Sequence, residues 1–333
     1  MSRTSMISLS LEHPGTDFRP NPFRQFQHRL IAFFFHPSSD RWLSLLRIGI
    51  GIQVILYCLS LRSDWTHVFA QGTEGWVSRD IMEAVAKVQA PLVPRIGWLV
   101  TVGSYLGLAE EKTLSLIWFC LLVAAIFLVI GLFSRTSAII AWFLYLTAVN
   151  SSALVTYGVD NFTNIGLFYL LVAPFPDRMS LDRVLWKSPI KDQHLDGLFR
   201  RVLQIHVCII YFFGGLTKCL GPGWWTGESM WMALTRPPFN VLPVSIVDSG
   251  RILLPLIGIA VCLLEIGYPV FIWPKKTRLI WLLAIIGMHI GIGLMMGLYL
   301  FALIMIILNL AAFGPEFIFR HDRSENFRSA TLG

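Results

Sequence analysis

The chain has 333 residues, of which 55% are apolar and only 14% charged, and it carries a net charge of +7. A soluble domain carries roughly 25% charged residues, so a soluble globular enzyme, a disordered chain and a fibre are all excluded as classes. The basic residues are spread over loops between apolar runs, which excludes a nucleic-acid binder and is the pattern of a membrane protein's topology determinants.

Residues 1–40 open with polar residues rather than a short basic stretch and a compact apolar core, so no cleaved signal peptide is expected. From Asn21 to Phe35 the chain interleaves Arg24, His28 and Arg29 with Phe23, Phe26, Leu30 and Phe33. This predicts an amphipathic cytoplasmic helix ahead of the first span, either lying in the inner headgroup layer or packed on the bundle.

Apolar runs follow at 42–60, 114–132, 136–150, 161–174, 200–217, 252–273, 279–296 and 299–318. Each is long enough to cross, allowing for tilt and a few interfacial residues, except 161–174, which is short and ended by proline. The expected fold is therefore an all-α, polytopic membrane helix bundle of about eight spans. It occupies 41–318 and is followed by a cytoplasmic tail, 319–333.

A ninth apolar stretch, from Ile96 to Leu108, is compatible with spanning, re-entering or lying on the surface. Charge arbitrates, because cytoplasmic loops collect Lys and Arg. With eight spans and the N-terminus inside, 18 of the 27 Lys and Arg residues fall in inner segments. A ninth span would reverse that bias. The expected arrangement is a multi-pass protein of the cell membrane with both termini cytoplasmic and 96–108 not spanning. No fixed-period repeat is visible.

Polar residues inside spans are expensive, so each is a functional candidate. Arg47, Gln53, Gln204, His206, Glu265, His289 and Asn309 lie in spans, with Lys218 at the end of one. By the 1.5 Å helical rise, His206, Glu265 and His289 lie near mid-depth and could meet as a carboxylate–imidazole cluster. Such a cluster could relay protons or simply hold helices together. Arg47 is a snorkelling anchor or, if it faces inward, a partner for Glu265 by charge. No metal site is expected: the histidines and the carboxylate lie on three helices without local ligand spacing, and the five cysteines form no CxxC.

The densest signal runs from Tyr211 to Glu228. Gln204, Cys208, Tyr211, Gly215 and Lys218 recur at helical spacing, within about 40° of one line, and give one face a polar stripe reaching the outer surface. Gly214 and Gly215 allow close approach of a helix or ligand, and Gly221, Pro222 and Gly223 force a turn before Trp224 and Trp225. Lys218 against Tyr and Trp walls could act as a base, hold an anion, or merely snorkel to the bilayer edge.

Tyr211-x3-Gly215-x2-Lys218 followed by Trp224-x2-Gly227 resembles the corresponding segment of the HTTM (horizontally transferred transmembrane) domain, shared by vitamin K-dependent gamma-glutamyl carboxylases and many bacterial proteins. Arg47-Ile-Gly-Ile-Gly in the first span, Gly158-x-Asp160, and the run from Glu265-x3-Pro269 through Thr277-Arg278 to Met288-His289 also fit the family, over about 40–318. The resemblance implies a carboxylase-like enzyme, a lyase, acting at the extracytoplasmic face on reduced vitamin K or another quinol and on a secreted peptide. Lys218 would be its base or anion stabiliser. The candidate catalytic set is Lys218, Tyr211, Glu265 and His289, and the candidate substrate-binding set is Gly215, Trp224, Gly227, His206 and Arg47. Two departures stand out. The carboxylases' large extracytoplasmic domain has no counterpart here, and their catalytic histidine has none in Asn150-Ser151-Ser152. A non-enzymatic helper in secreted-peptide maturation or export, docking through the loop 218–251, is the alternative.

Overall fold

Long apolar runs without interior breakers satisfy their own backbone groups as helices, the form that lipid demands. The computed structural model describes residues 22–319 apart from 73–76, 90, 153–155 and 188–192. The expected cytoplasmic tail, apart from residue 319, therefore lies outside the described residues, as do residues 1–21. The helices are α1 (Pro22–Phe34), α2 (Arg41–Ser60), α3 (Trp65–Phe69), α4 (Arg79–Gln89), α5 (Ile96–Tyr105), α6 (Glu110–Ile130), α7 (Ser134–Val149), α8 (Gly158–Val172) and α9 (Leu181–Trp186). They continue with α10 (Gln193–Leu220), α11 (Pro222–Thr226), α12 (Glu228–Thr235), α13 (Val244–Ser249), α14 (Leu254–Phe271), α15 (Lys275–Met296), α16 (Tyr299–Phe313) and α17 (Pro315–Ile318). Among the described residues there is no strand.

Among the described residues, five helical segments are long and apolar enough to cross a membrane: Arg41–Ser60, Glu110–Ile130, Gln193–Leu220, Arg251–Phe271 and Lys275–Met296. The other three expected spans are shorter, with α7 at 16 residues and α8 and α16 at 15 each. At 1.5 Å per residue these fall short of a hydrocarbon layer of about 30 Å. The helix α5 is shorter again, at ten residues. The amphipathic segment forms α1, with Phe23, Phe26, Leu30 and Ile31 exposed.

The helices pack as two groups, α2 with α6, α7 and α8, and α10 with α14, α15 and α16. The helix α16 joins them by lying against α2, α8 and α10. Close approach explains why the first span carries Gly49 and Gly51. A Cβ on Gly49 would sit 2.6 Å from Ile307 of α16, and one on Gly51 would sit 2.7 Å from Val129 of α6. Leu116, Phe119, Leu263, Val270, Ile280 and Leu283 point outward from the bundle, as lipid-facing residues should.

Arg47 lies fully buried where α2, α6 and the loop after α8 meet. Its guanidinium grips Asp177 through Nε at 2.6 Å and Nη2 at 3.3 Å, while Nη1 donates to the carbonyls of Leu128 and Val129. Ser44 Oγ donates to Asp177 at 2.5 Å. The pairing with Glu265 suggested by charge is not formed, because Asp177, delivered by the loop after α8, reaches the guanidinium instead. A bidentate, fully satisfied buried pair of this kind fixes the junction of α2, α6 and that loop.

Candidate functional site

The helices α10 and α14 run face to face, and the predicted polar stripe is the face α10 presents. Gln204, Cys208, Tyr211 and Gly215 are all buried. Gly215 makes the approach: a Cβ there would stand 2.6 Å from the backbone nitrogen of Ile266. Gly214, one residue earlier, faces a charged pair, and a Cβ on it would lie 3.3 Å from Glu265 Oε2 and 3.7 Å from Lys218 Nζ.

That pair is the centre of the site. Lys218 Nζ donates to Glu265 Oε2 at 2.6 Å and lies 3.4 Å from the Gly214 carbonyl. The Glu265 side chain is 9% exposed and that of Lys218 25%, so the lysine is reachable while the carboxylate is enclosed. The ammonium also sits 5.5 Å from the Trp224 ring centroid, within cation–π range.

The turn predicted after Leu220 brings Trp224 there. Pro222 opens α11, and Gly227 follows at φ +82, a left-handed conformation that glycine adopts without cost. A Cβ on Gly227 would also meet Pro255 at 2.6 Å, so the turn is pressed onto the start of α14. Trp225 Nε1 closes it by donating to the Cys219 carbonyl at 2.8 Å.

Two turns along α10, Tyr211 stacks its ring on Tyr268 of α14 at 4.3 Å between centroids. Here a chain of hydrogen bonds crosses four helices. Tyr268 donates to Asn309 Oδ1 at 2.6 Å, Asn309 Nδ2 donates to Tyr211 Oη at 2.7 Å, and Tyr211 Oη lies 2.8 Å from His289 Nε2. Every member of this chain is nearly fully buried. Tyr211 and Lys218 share one face of α10, and Tyr268 and Glu265 share one face of α14, so the ion pair and the hydrogen-bonded chain adjoin along the same helix contact.

Of the residues singled out in the sequence, Lys218, Glu265, Tyr211, His289, Gly215, Trp224 and Gly227 come together here. His206 does not. It turns toward α8, where Nδ1 lies 3.1 Å from Tyr169 Oη. There it edges an apolar cavity of about 440 Å³ lined also by Trp142, Asn164 and Phe168. Arg47 lies apart at its own junction.

Two members of the chain were less legible. Asn309 stood out as a polar residue in a span, but nothing in the sequence paired it with Tyr211. Tyr268 carried no signal except its place three residues after Glu265, which puts both on one face of α14. Among the described residues no group of three or more metal-ligating side chains occurs.

A family model for the HTTM domain matches residues 101–316, more than half of the chain and all of the site just described. No curated protein and no solved structure matches.

Proposed function

The chain belongs to the HTTM family and is a membrane protein, and from that premise we propose that it is a carboxylase-like membrane enzyme acting on a quinol-type lipid. Its reactive pair is Lys218 and Glu265. The observation that carries the reading is the 2.6 Å contact between a part-exposed ammonium and an enclosed carboxylate at the end of a long apolar helix. In this reading Lys218, hydrogen-bonded to a carboxylate, holds an anion rather than acting as a base. The carboxylate is then the proton acceptor. A quinol hydroxyl gives its proton to Glu265, and the oxyanion left behind stays beside the Lys218 ammonium, in a setting dry enough to strengthen that attraction.

In this reading the site opens toward the extracytoplasmic side of the cell membrane, where a lipid-soluble quinol and a secreted peptide meet it, and both termini are cytoplasmic. A label accessible from outside on a tag after Gly333 would overturn that orientation. Whether the reaction proceeds to carboxylation of a peptide glutamate is tested by incorporation of labelled carbon dioxide into a Glu-containing peptide. The test of the reading itself is dioxygen-dependent consumption of a reduced naphthoquinol by the purified protein in lipid nanodiscs, dioxygen taking the electrons that the quinol oxyanion gives up. Wild-type protein is expected to consume it and Lys218→Ala not to, with insertion unchanged. Equal consumption by Lys218→Ala would overturn the reading.

The loop after α10 favours a second reading, a docking surface of a non-enzymatic helper for a secreted peptide. Leu220, Trp225, Met232, Val241 and Ile246 are all exposed there. Under that reading, replacing 224–231 abolishes partner capture while Lys218→Ala does not.

A further inference from the structure

The chain from Tyr268 to His289 has a direction, and it can be worked out atom by atom. Asn309 Nδ2 lies 2.8 Å from the Met305 carbonyl, which only accepts, so that atom of the side-chain amide is the NH2 group. Its second proton then goes to Tyr211 Oη, and Oδ1 accepts from Tyr268. Tyr211 Oη, having accepted from Asn309, still owns one proton. The neighbouring acceptor for it is His289 Nε2 at 2.8 Å.

If His289 instead carried its proton on Nε2, the Tyr211 hydroxyl proton would be stranded and Nδ1 would be a bare, unused acceptor. Placing the proton on Nδ1 leaves one unsatisfied group rather than two, and buried polar groups are very rarely left unsatisfied. That remaining group is His289 Nδ1, which is buried and has no hydrogen-bond partner in a residue only 2% exposed.

We infer that Tyr268, Asn309 and Tyr211 are positioning residues that hold His289 as the Nδ1–H tautomer, and that this N–H is a binding group for an oxygen acceptor of the substrate. The ligand class it selects is a carbonyl or oxyanion, since a neutral N–H donates to an oxygen lone pair. The identity of that ligand rests on the quinol reading above. The tautomer does not, since it follows from the hydrogen bonds alone.

The test is nitrogen-15 magnetic resonance on histidine-labelled protein in nanodiscs, with the His289 signals assigned by their loss in His289→Phe. The expected result is a proton on Nδ1 and none on Nε2 in wild type. Tyr211→Phe removes the hydroxyl proton that Nε2 accepts, and should release a large share of molecules to the Nε2–H tautomer. Tyr268→Phe leaves the Met305 bond in place and should not. Adding 2-methyl-1,4-naphthoquinone, whose carbonyls are acceptors, should shift the Nδ1 resonance. A proton on Nε2 in wild type would overturn the inference, whatever the activity of Lys218→Ala. So would an Nδ1 resonance that saturating quinone leaves unmoved.

Discussion

Lys218 on α10 and Glu265 on α14 meet at 2.6 Å, and Gly214 and Gly215 clear the space in which they do so. Removing one partner strands the other, and breaking a buried pair costs about 3–5 kcal/mol, less where one side is part-exposed as here. Lys218→Met should therefore lower the apparent melting temperature. Adding Glu265→Gln to it should restore most of the loss without restoring activity. Thermal scans of the three proteins in one detergent check this, and a double variant no more stable than Lys218→Met would contradict it.

The spacing of α10 and α14 gives a sharper contrast among glycines. A Cβ at Gly215 collides with the backbone of α14, which cannot move aside as a side chain can, while one at Gly291 meets nothing within 4 Å. Gly215→Ala should depress stability by a few kcal/mol. Gly291→Ala should be neutral or stabilising by a fraction of the roughly 1 kcal/mol helix preference of alanine. Similar effects of the two on thermal stability would show that α10 and α14 are not so closely apposed.

How much of this was legible beforehand can be judged residue by residue. Periodicity alone placed Tyr211, Gly215 and Lys218 on one buried stripe, because a helix face is a local property of the chain. Scarcity of charge picked out Glu265 and His289, because each ionisable group in a span must have a partner. Which partner it has is a tertiary fact. Arg47 pairs with Asp177 of a loop, and His206 turns away toward Tyr169, since helix rotation and loop course decide between several charges at similar depth. Span length was less legible still. Apolar composition continues past the helix end in the run 299–318, which encloses a helix of 15 residues, whereas the run 136–150 was read as crossing length although its helix has only 16 residues.

At the other junction, Arg47→Ala leaves the Asp177 carboxylate buried with only Ser44 and a backbone amide to hold it. Loss of stability near the upper end of the 3–5 kcal/mol range is expected. Arg47→Lys should not rescue it, because an ammonium cannot reproduce the forked contact to Asp177 together with the two carbonyl bonds. Yield of folded protein from membranes, followed by thermal scans, decides this. Full stability of Arg47→Lys would contradict it.

His206→Phe offers a specificity control. Its imidazole borders the apolar cavity against α8 rather than the Lys218 region, so quinol turnover should change by less than about threefold, a free-energy difference under 1 kcal/mol. A loss as large as that of Lys218→Ala would place His206 in the reaction after all.

The most direct measurement compares Lys218→Ala with Lys218→Arg in the nanodisc quinol assay. Arginine keeps the positive charge but cannot serve as a base at any working pH. If Lys218 holds an oxyanion, the alanine variant should lose about 100-fold or more in turnover, with the arginine variant retaining a measurable part of it. Wild-type turnover in Lys218→Ala would contradict a role for the ion pair in the chemistry, and an arginine variant as inactive as the alanine one would contradict anion holding by Lys218.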